Sequence, residues 1–212
     1  MTVRPLICDR LGALTELFVP EVELVSVTRN DRNDLARVAR ASIDRGVQLN
    51  VRGVFPVGGH DALFAAAAEI TRQDKNLIVL LDDVFACSEM LGELVGCNLV
   101  GFRIQTLREP MCPRFHVDRI PCRLLVTYGG PGTEWITERW LDRSSVGGVE
   151  PDNYPVIDGG GHQQLQDSAI SVLKGALWSS SVGEPGQGYG GVVHRSPRAP
   201  EGRILMSLDP VH

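Results

Sequence analysis

Two short stretches hold the residues best suited to chemistry: Phe115-His116-Val117-Asp118 and, much later, Val192-Val193-His194, with Arg203 beyond it. Side chains on a β-strand repeat every two residues, so a strand over 114–118 turns His116 and Asp118 to the same face. His194 then completes a set of two histidines and one carboxylate. That donor pattern holds a single metal ion from one side and leaves coordination positions open. Open positions imply chemistry on a bound substrate rather than a closed structural site. The imidazoles would bind neutral and Asp118 ionised, because only those forms offer a lone pair.

A second chemistry competes for the same region. Cys112 and Cys122 flank the His-x-Asp triplet, and a thiolate beside His116 or Asp118 would favour zinc over a catalytic iron. Pro113 and Pro121 argue against one regular strand presenting all four groups. The alternative is therefore a non-catalytic zinc protein of metal homeostasis. The other histidines with glycine neighbours, His60 and His162, read as solvated loop residues. Gly186-Gln187-Gly188-Tyr189-Gly190-Gly191 lacks the preceding strand and following helix of a phosphate cradle and reads as a loop over the site. Trp135, Trp140 and Trp178 read as core.

The elements that must position these residues change in texture near residue 99. Before it, apolar residues at helical spacing predict helices over 35–45, capped by Asp34, over 62–72 after Asp61, and over 82–95, stopped by Gly96. After it, short apolar runs between Gly, Pro, Asp and Asn predict strands over 99–107, 114–118, 122–128, 171–174, 191–194 and 203–208. Gly129-Gly130-Pro131-Gly132 and Asp158-Gly159-Gly160-Gly161 read as turns. The expected organisation is one α+β domain over 1–212, with 1–98 a mainly helical layer and 99–212 an antiparallel core carrying the metal site.

Composition narrows the function classes. A chain of 212 residues with 43% hydrophobic content can bury a sizeable core. A net charge of -5 offers no basic stripe for phosphates, which excludes nucleic acid as the expected partner. No apolar run reaches membrane-span or signal-peptide length, so a cytoplasmic protein without membrane contact is expected. The five cysteines lack a Cys-x-x-Cys pair and read as reduced thiols. The partner expected is a small-molecule or peptide substrate. Neither its identity nor the oligomeric state follows from composition.

The order His-x-Asp, distal histidine, trailing arginine resembles the iron(II)- and 2-oxoglutarate-dependent oxygenases. The resemblance implies a double-stranded β-helix (jelly-roll or cupin-like), iron(II) on His116, Asp118 and His194, and 2-oxoglutarate as co-substrate. It also implies an arginine for the far carboxylate of 2-oxoglutarate, a role suited to a planar guanidinium. Arg203 is the candidate, with Arg195 and Arg198 as competitors; Tyr128 and Ser207 are candidate hydrogen-bonding partners of the co-substrate. Met111-Cys112-Pro113-Arg114-Phe115-His116-Val117-Asp118-Arg119-Ile120-Pro121-Cys122-Arg123-Leu124-Leu125 is also similar to a bacterial family, the domain of unknown function 1826. So are Thr127-Tyr128-Gly129-Gly130-Pro131-Gly132-Thr133-Glu134-Trp135 and Val193-His194-Arg195-Ser196-Pro197. That second likeness implies no activity of its own.

Overall fold

The computed structural model describes residues 3–147, 154–157, 159–178 and 190–211. In chain order the strands are β1 (Arg4–Cys8), β2 (Val22–Val27), β3 (Asn50–Pro56), β4 (Leu99–Leu107), β5 (Cys122–Tyr128), β6 (Glu134–Ile136), β7 (Gln163–Gln164), β8 (Ile170–Lys174), β9 (Val193–Arg195) and β10 (Arg203–Val211). Among the described residues the α-helices are α1 (Asn33–Asp44), α2 (His60–Ala66), α3 (Ala68–Gln73) and α4 (Ile78–Val95). Seven strands form one sheet in the order β1-β2-β8-β5-β10-β4-β3, and three form a smaller one, β7-β6-β9. Only β1 and β2 run parallel; every other described pair is antiparallel.

Strand periodicity sorts the large sheet into two faces. Leu124, Val126 and Tyr128 of β5, with Ile204, Met206 and Leu208 of β10, pack into the large core with Leu35, Ile43, Leu80, Val84 and Leu91 of the helices. Their alternates, Leu125 and Leu205, join Leu24, Leu173, Trp135, Leu165 and Val192 between the two sheets. The central strands β2, β8, β5 and β10 are thus apolar on both faces, as expected of a layer covered on both sides. The helices close one side and the small sheet closes the other.

α4 is the main covering helix. It buries Leu80, Leu81, Val84, Cys87 and Leu91 and ends where Gly96 adopts the left-handed conformation (φ 70°), donating its amide to the Gly92 carbonyl. Asp83 on its sheet side accepts both Arg29 Nη atoms (2.5 and 3.0 Å) and the Tyr128 hydroxyl (2.7 Å). Helix and sheet are therefore joined by a buried charged hydrogen-bond cluster as well as by packing.

The structure corrects several sequence expectations. Residues 1–98 hold the helices but also contribute β1, β2 and β3 to the large sheet. Pro5, and the Gly53 and Pro56 of β3, read locally as breakers, yet β1 and β3 lie at the two sheet edges, where breakers are tolerated. β2 is buried along its whole length, so its solvent-facing alternation is absent. The helix expected over 62–72 is two helices, because Ala67 leaves helical geometry (φ -103°, ψ 10°). Asp34 sits in the first turn of α1 and takes Arg32 Nε; it is not the cap. Residues 186–189 and Asp158 lie outside the described residues. Among those described, no helix is long and apolar enough to cross a membrane.

Candidate metal centre

His116 and Asp118 do not lie on a strand. Residues 114–118 are irregular apart from one antiparallel bridge, His116 to His194. In that bridge each histidine amide donates to the other's carbonyl, both at 3.0 Å. Pro113 and the turn toward Pro121 prevent a longer ladder. The segment is held in other ways. Ala176 donates its amide to Asp118 O, Gly175 to Pro121 O and Leu177 to Ile120 O. At Gly175 a Cβ would stand 2.1 Å from the Ile120 carbonyl oxygen, so only glycine lets the end of β8 approach this close.

That bridge sets the two imidazoles side by side, ring centroids 4.6 Å apart. Both rings are oriented in the same way. Nδ1 of His116 donates to Arg114 O (2.9 Å), and Nδ1 of His194 donates to Val192 O (3.0 Å). A carbonyl can only accept, so each Nδ1 carries the proton and each Nε2 keeps its lone pair when the ring is neutral. The two Nε2 atoms face the Asp118 carboxylate, at 3.6 Å from Oδ1 for His116 and 3.4 Å from Oδ2 for His194. One ligand atom from each residue lies within 4.8 Å of the others. Carbonyl-anchored imidazoles beside a carboxylate are the arrangement that fixes histidines as metal ligands.

The electrostatics match that arrangement. Burial works to raise the Asp118 pKa, but the hydrogen bonds that both imidazoles donate from Nε2 when protonated, with the charges of protonated His194 and of Arg123, hold it far below the usual carboxylate range. The hydrogen bond to Asp118 raises His116, against burial. Asp118 is therefore an ionised donor, and a cation would displace a proton from the His116 side of the site.

Arg123 was not anticipated. Its Nη1 donates to Asp118 Oδ2 (2.8 Å), while Nε and Nη2 grip Asp209 of β10 at 2.7 Å each. Asp209 thus fixes Arg123, which fixes Asp118. Strand parity places it there, since Arg123 shares its face with Leu125, but which face of β5 meets the site is known only from the fold.

The co-substrate candidates separate clearly. Tyr128 is on the helix face, fully buried and bound to Asp83, so it does not reach the centre. The even-numbered positions of β5 all point that way. Ser207, on the opposite face, lines the cavity with His116, Asp118, His194, Arg123 and Ser196. Arg203 is 1% exposed. Its Nη1 donates to Pro131 O (3.2 Å) and its Nη2 to Ser196 Oγ (3.3 Å), and its Nε is buried without a partner. Burial pushes its pKa down to about 10, with the charge of Glu134 opposing. Arg195 is engaged by Glu134 (2.6 Å) and stacks over Phe115. Arg198 is exposed.

The thiolate alternative loses its ligands. Cys122 points into the helix-side core, where burial pushes its thiol up to about 12. Cys112 is exposed at the cavity wall, outside the group of converging donors. His60 stacks on Phe64, and His162 hydrogen-bonds Tyr154. Trp135 is fully buried core.

Fold and donor set together define a class: the chain has the α+β, double-stranded β-helix fold of the iron(II)/2-oxoglutarate dioxygenases, with a candidate His-Asp-His facial triad. The 2-oxoglutarate complex of the dioxygenase for auxin oxidation 1 from Arabidopsis thaliana aligns with a TM-score of 0.51 at 9% identity, covering 99% of this chain and 92% of that one. A prolyl-4-hydroxylase from Pseudomonas putida aligns at 0.47 and 12% identity, over 95% and 99% of the two chains. A 2-oxoglutarate-Fe(II) oxygenase family oxidoreductase from Burkholderia pseudomallei aligns at 0.46 and 11%, over 99% and 95%. No curated protein matches in sequence. Residues 8–209 match the model described as protein of unknown function (DUF1826), and the chain belongs to that family.

Proposed function

We propose that this protein is an iron(II)- and 2-oxoglutarate-dependent oxygenase acting on a small molecule or a peptide. The observation that carries the reading is the convergence of two Nε2 lone pairs and an ionised carboxylate on one point, with both Nδ1 protons already committed to carbonyls. Nitrogen and oxygen donors without thiolate suit iron(II), and three donors leave positions for a bidentate co-substrate. When bound, iron(II) and 2-oxoglutarate supply dioxygen activation and the oxidation of a substrate C–H bond, with decarboxylation to succinate.

The chain's own residues supply binding and orientation. His116, Asp118 and His194 hold the metal. Arg123 keeps Asp118 ionised and fixed through Asp209. Arg203 fits the distal carboxylate of 2-oxoglutarate: it is a buried cation with an orphaned Nε, and no described carboxylate lies within ion-pair distance. A buried polar group left unpaired is costly, and an incoming anion relieves that cost. Ser196 and Ser207 place hydroxyls on the cavity wall for the remaining oxygens. Leu125, Leu205 and the core around Trp135 screen the site from water on the side between the sheets.

The test is anaerobic titration with iron(II) followed by 2-oxoglutarate. The wild type should bind one iron and develop a visible charge-transfer absorption on adding 2-oxoglutarate. His116→Ala and Asp118→Ala should lose both. A wild-type protein that takes up iron but shows no such absorption overturns the reading.

A further inference from the structure

Beside the metal cavity runs a groove of about 440 Å³, lined by Arg52, Gly53, Val54, Gly101, Phe102, Arg103, Arg123, Ser207 and Asp209. Its size is that of a small-molecule site. Arg103, Arg123 and Ser207 also line the metal cavity, so the two spaces adjoin across a shared wall. Gly53 and Gly101 leave part of the floor without side chains.

The groove's arginines differ in one respect. Arg123 is matched by Asp118 and Asp209. Arg52 and Arg103 are matched by nothing of opposite charge among the described residues. Arg103 makes one contact, from Nη1 to the Met111 sulfur at 3.4 Å, a weak acceptor. Yet Arg52 and Arg103 are direct register partners on β3 and β4, and Ser207 on β10 is the partner of Arg103 on its other side. Strand parity puts all three on the site face. Like charges directly opposite across an antiparallel pair are destabilising, and an anion held between the two guanidiniums would relieve that. Two guanidiniums flanked by a hydroxyl form a fork suited to an oxyanion, which both can bind with paired hydrogen bonds.

We infer that Arg52 and Arg103 form an anion subsite, and that the oxidised substrate is a small molecule carrying a carboxylate or phosphate group held there while its other end reaches the metal. The role as substrate subsite rests on the oxygenase reading; the binding of the anion does not.

The test measures saturable binding of inorganic phosphate and, separately, of benzoate by thermal shift at fixed ionic strength. It uses the wild type, Arg52→Ala, Arg103→Ala, Arg52→Glu and His116→Ala. At least one probe should bind the wild type saturably. Each alanine variant should weaken that probe about tenfold, as expected for loss of a charge-assisted hydrogen bond. Arg52→Glu should abolish binding and raise the melting temperature without ligand, because it turns repulsion with Arg103 into attraction. His116→Ala should bind as the wild type does, so a failed metal centre cannot be mistaken for a failed subsite. Phosphate and benzoate differ in charge and shape, and the tighter of the two identifies the substrate's anionic group. Saturable binding unaltered by the arginine variants, or no saturable binding of either probe, overturns the inference.

Discussion

The two faces of the large sheet treat buried polar groups in opposite ways. On the helix face, Asp83, Arg29 and Tyr128 satisfy one another in a closed cluster. On the other side lie the described buried side-chain atoms that lack a partner: Arg203 Nε, Gln105 Oε1, Trp135 Nε1, Thr137 Oγ1 and Glu23 Oε1. Folded proteins rarely leave such atoms unmatched without a reason. One face is closed by the chain itself, and the other keeps polar atoms that the described residues leave unmatched.

Substitutions of opposite sign should follow from that contrast. The largest effect is expected at Asp83. Asp83→Ala strands the Arg29 guanidinium and the Tyr128 hydroxyl in the core, and chemical denaturation should show a loss of about 3–5 kcal/mol. Equal stability in the variant would break the comparison on the helix side.

Arg203→Met is the counterpart on the site face. It removes a buried charge that has no carboxylate partner, so the ligand-free protein should be at least as stable as the wild type. Its affinity for 2-oxoglutarate, followed by titration of the iron-loaded protein, should fall about a hundredfold, as for truncating one member of a buried charge pair. A destabilised variant with unchanged affinity would make Arg203 a structural residue like Arg29.

Glu23 sharpens the contrast with a smaller effect. Burial raises its pKa to about 7; Glu138 adds to this, while Arg143 and Lys174 oppose it. The folded protein then keeps a proton that the unfolded chain releases near its ordinary value of 4.5. Stability should therefore fall as pH rises from about 4.5 to about 7 and change no further through this group. Glu23→Gln should flatten that slope and leave the protein on the order of 3 kcal/mol more stable above neutrality. Denaturant midpoints measured across the interval decide it.

How far the sequence revealed this molecule depended on whether local pattern and tertiary demand agreed. β4 and β5 occupy the expected spans, because their apolar runs are bounded by turn residues that also bound the strands. Gly96 ends α4 as expected, since a left-handed stop needs only its own residue. The triad residues were legible from type and order, and the structure brings them together. Their setting was not: prolines on either side reduce the expected strand to a single bridge, and long-range backbone bonds replace the ladder. Tyr128 failed on parity, which can be read only once a neighbouring strand's buried face is known. β1 and β3 were hidden by breakers that sheet edges accommodate. The pairing of Arg52 with Arg103 depends on a register that no local stretch encodes.

The reciprocal bridge between His116 and His194 would tie capture of a metal by the two rings to docking of the loop that carries the triplet. Each of the two amides in that bridge opens only if the imidazoles part, so a cation pinning both rings should slow solvent deuterium uptake at these two positions together. The protein would then record occupancy in its backbone as a clasp, closed by the ion and loosened by its departure.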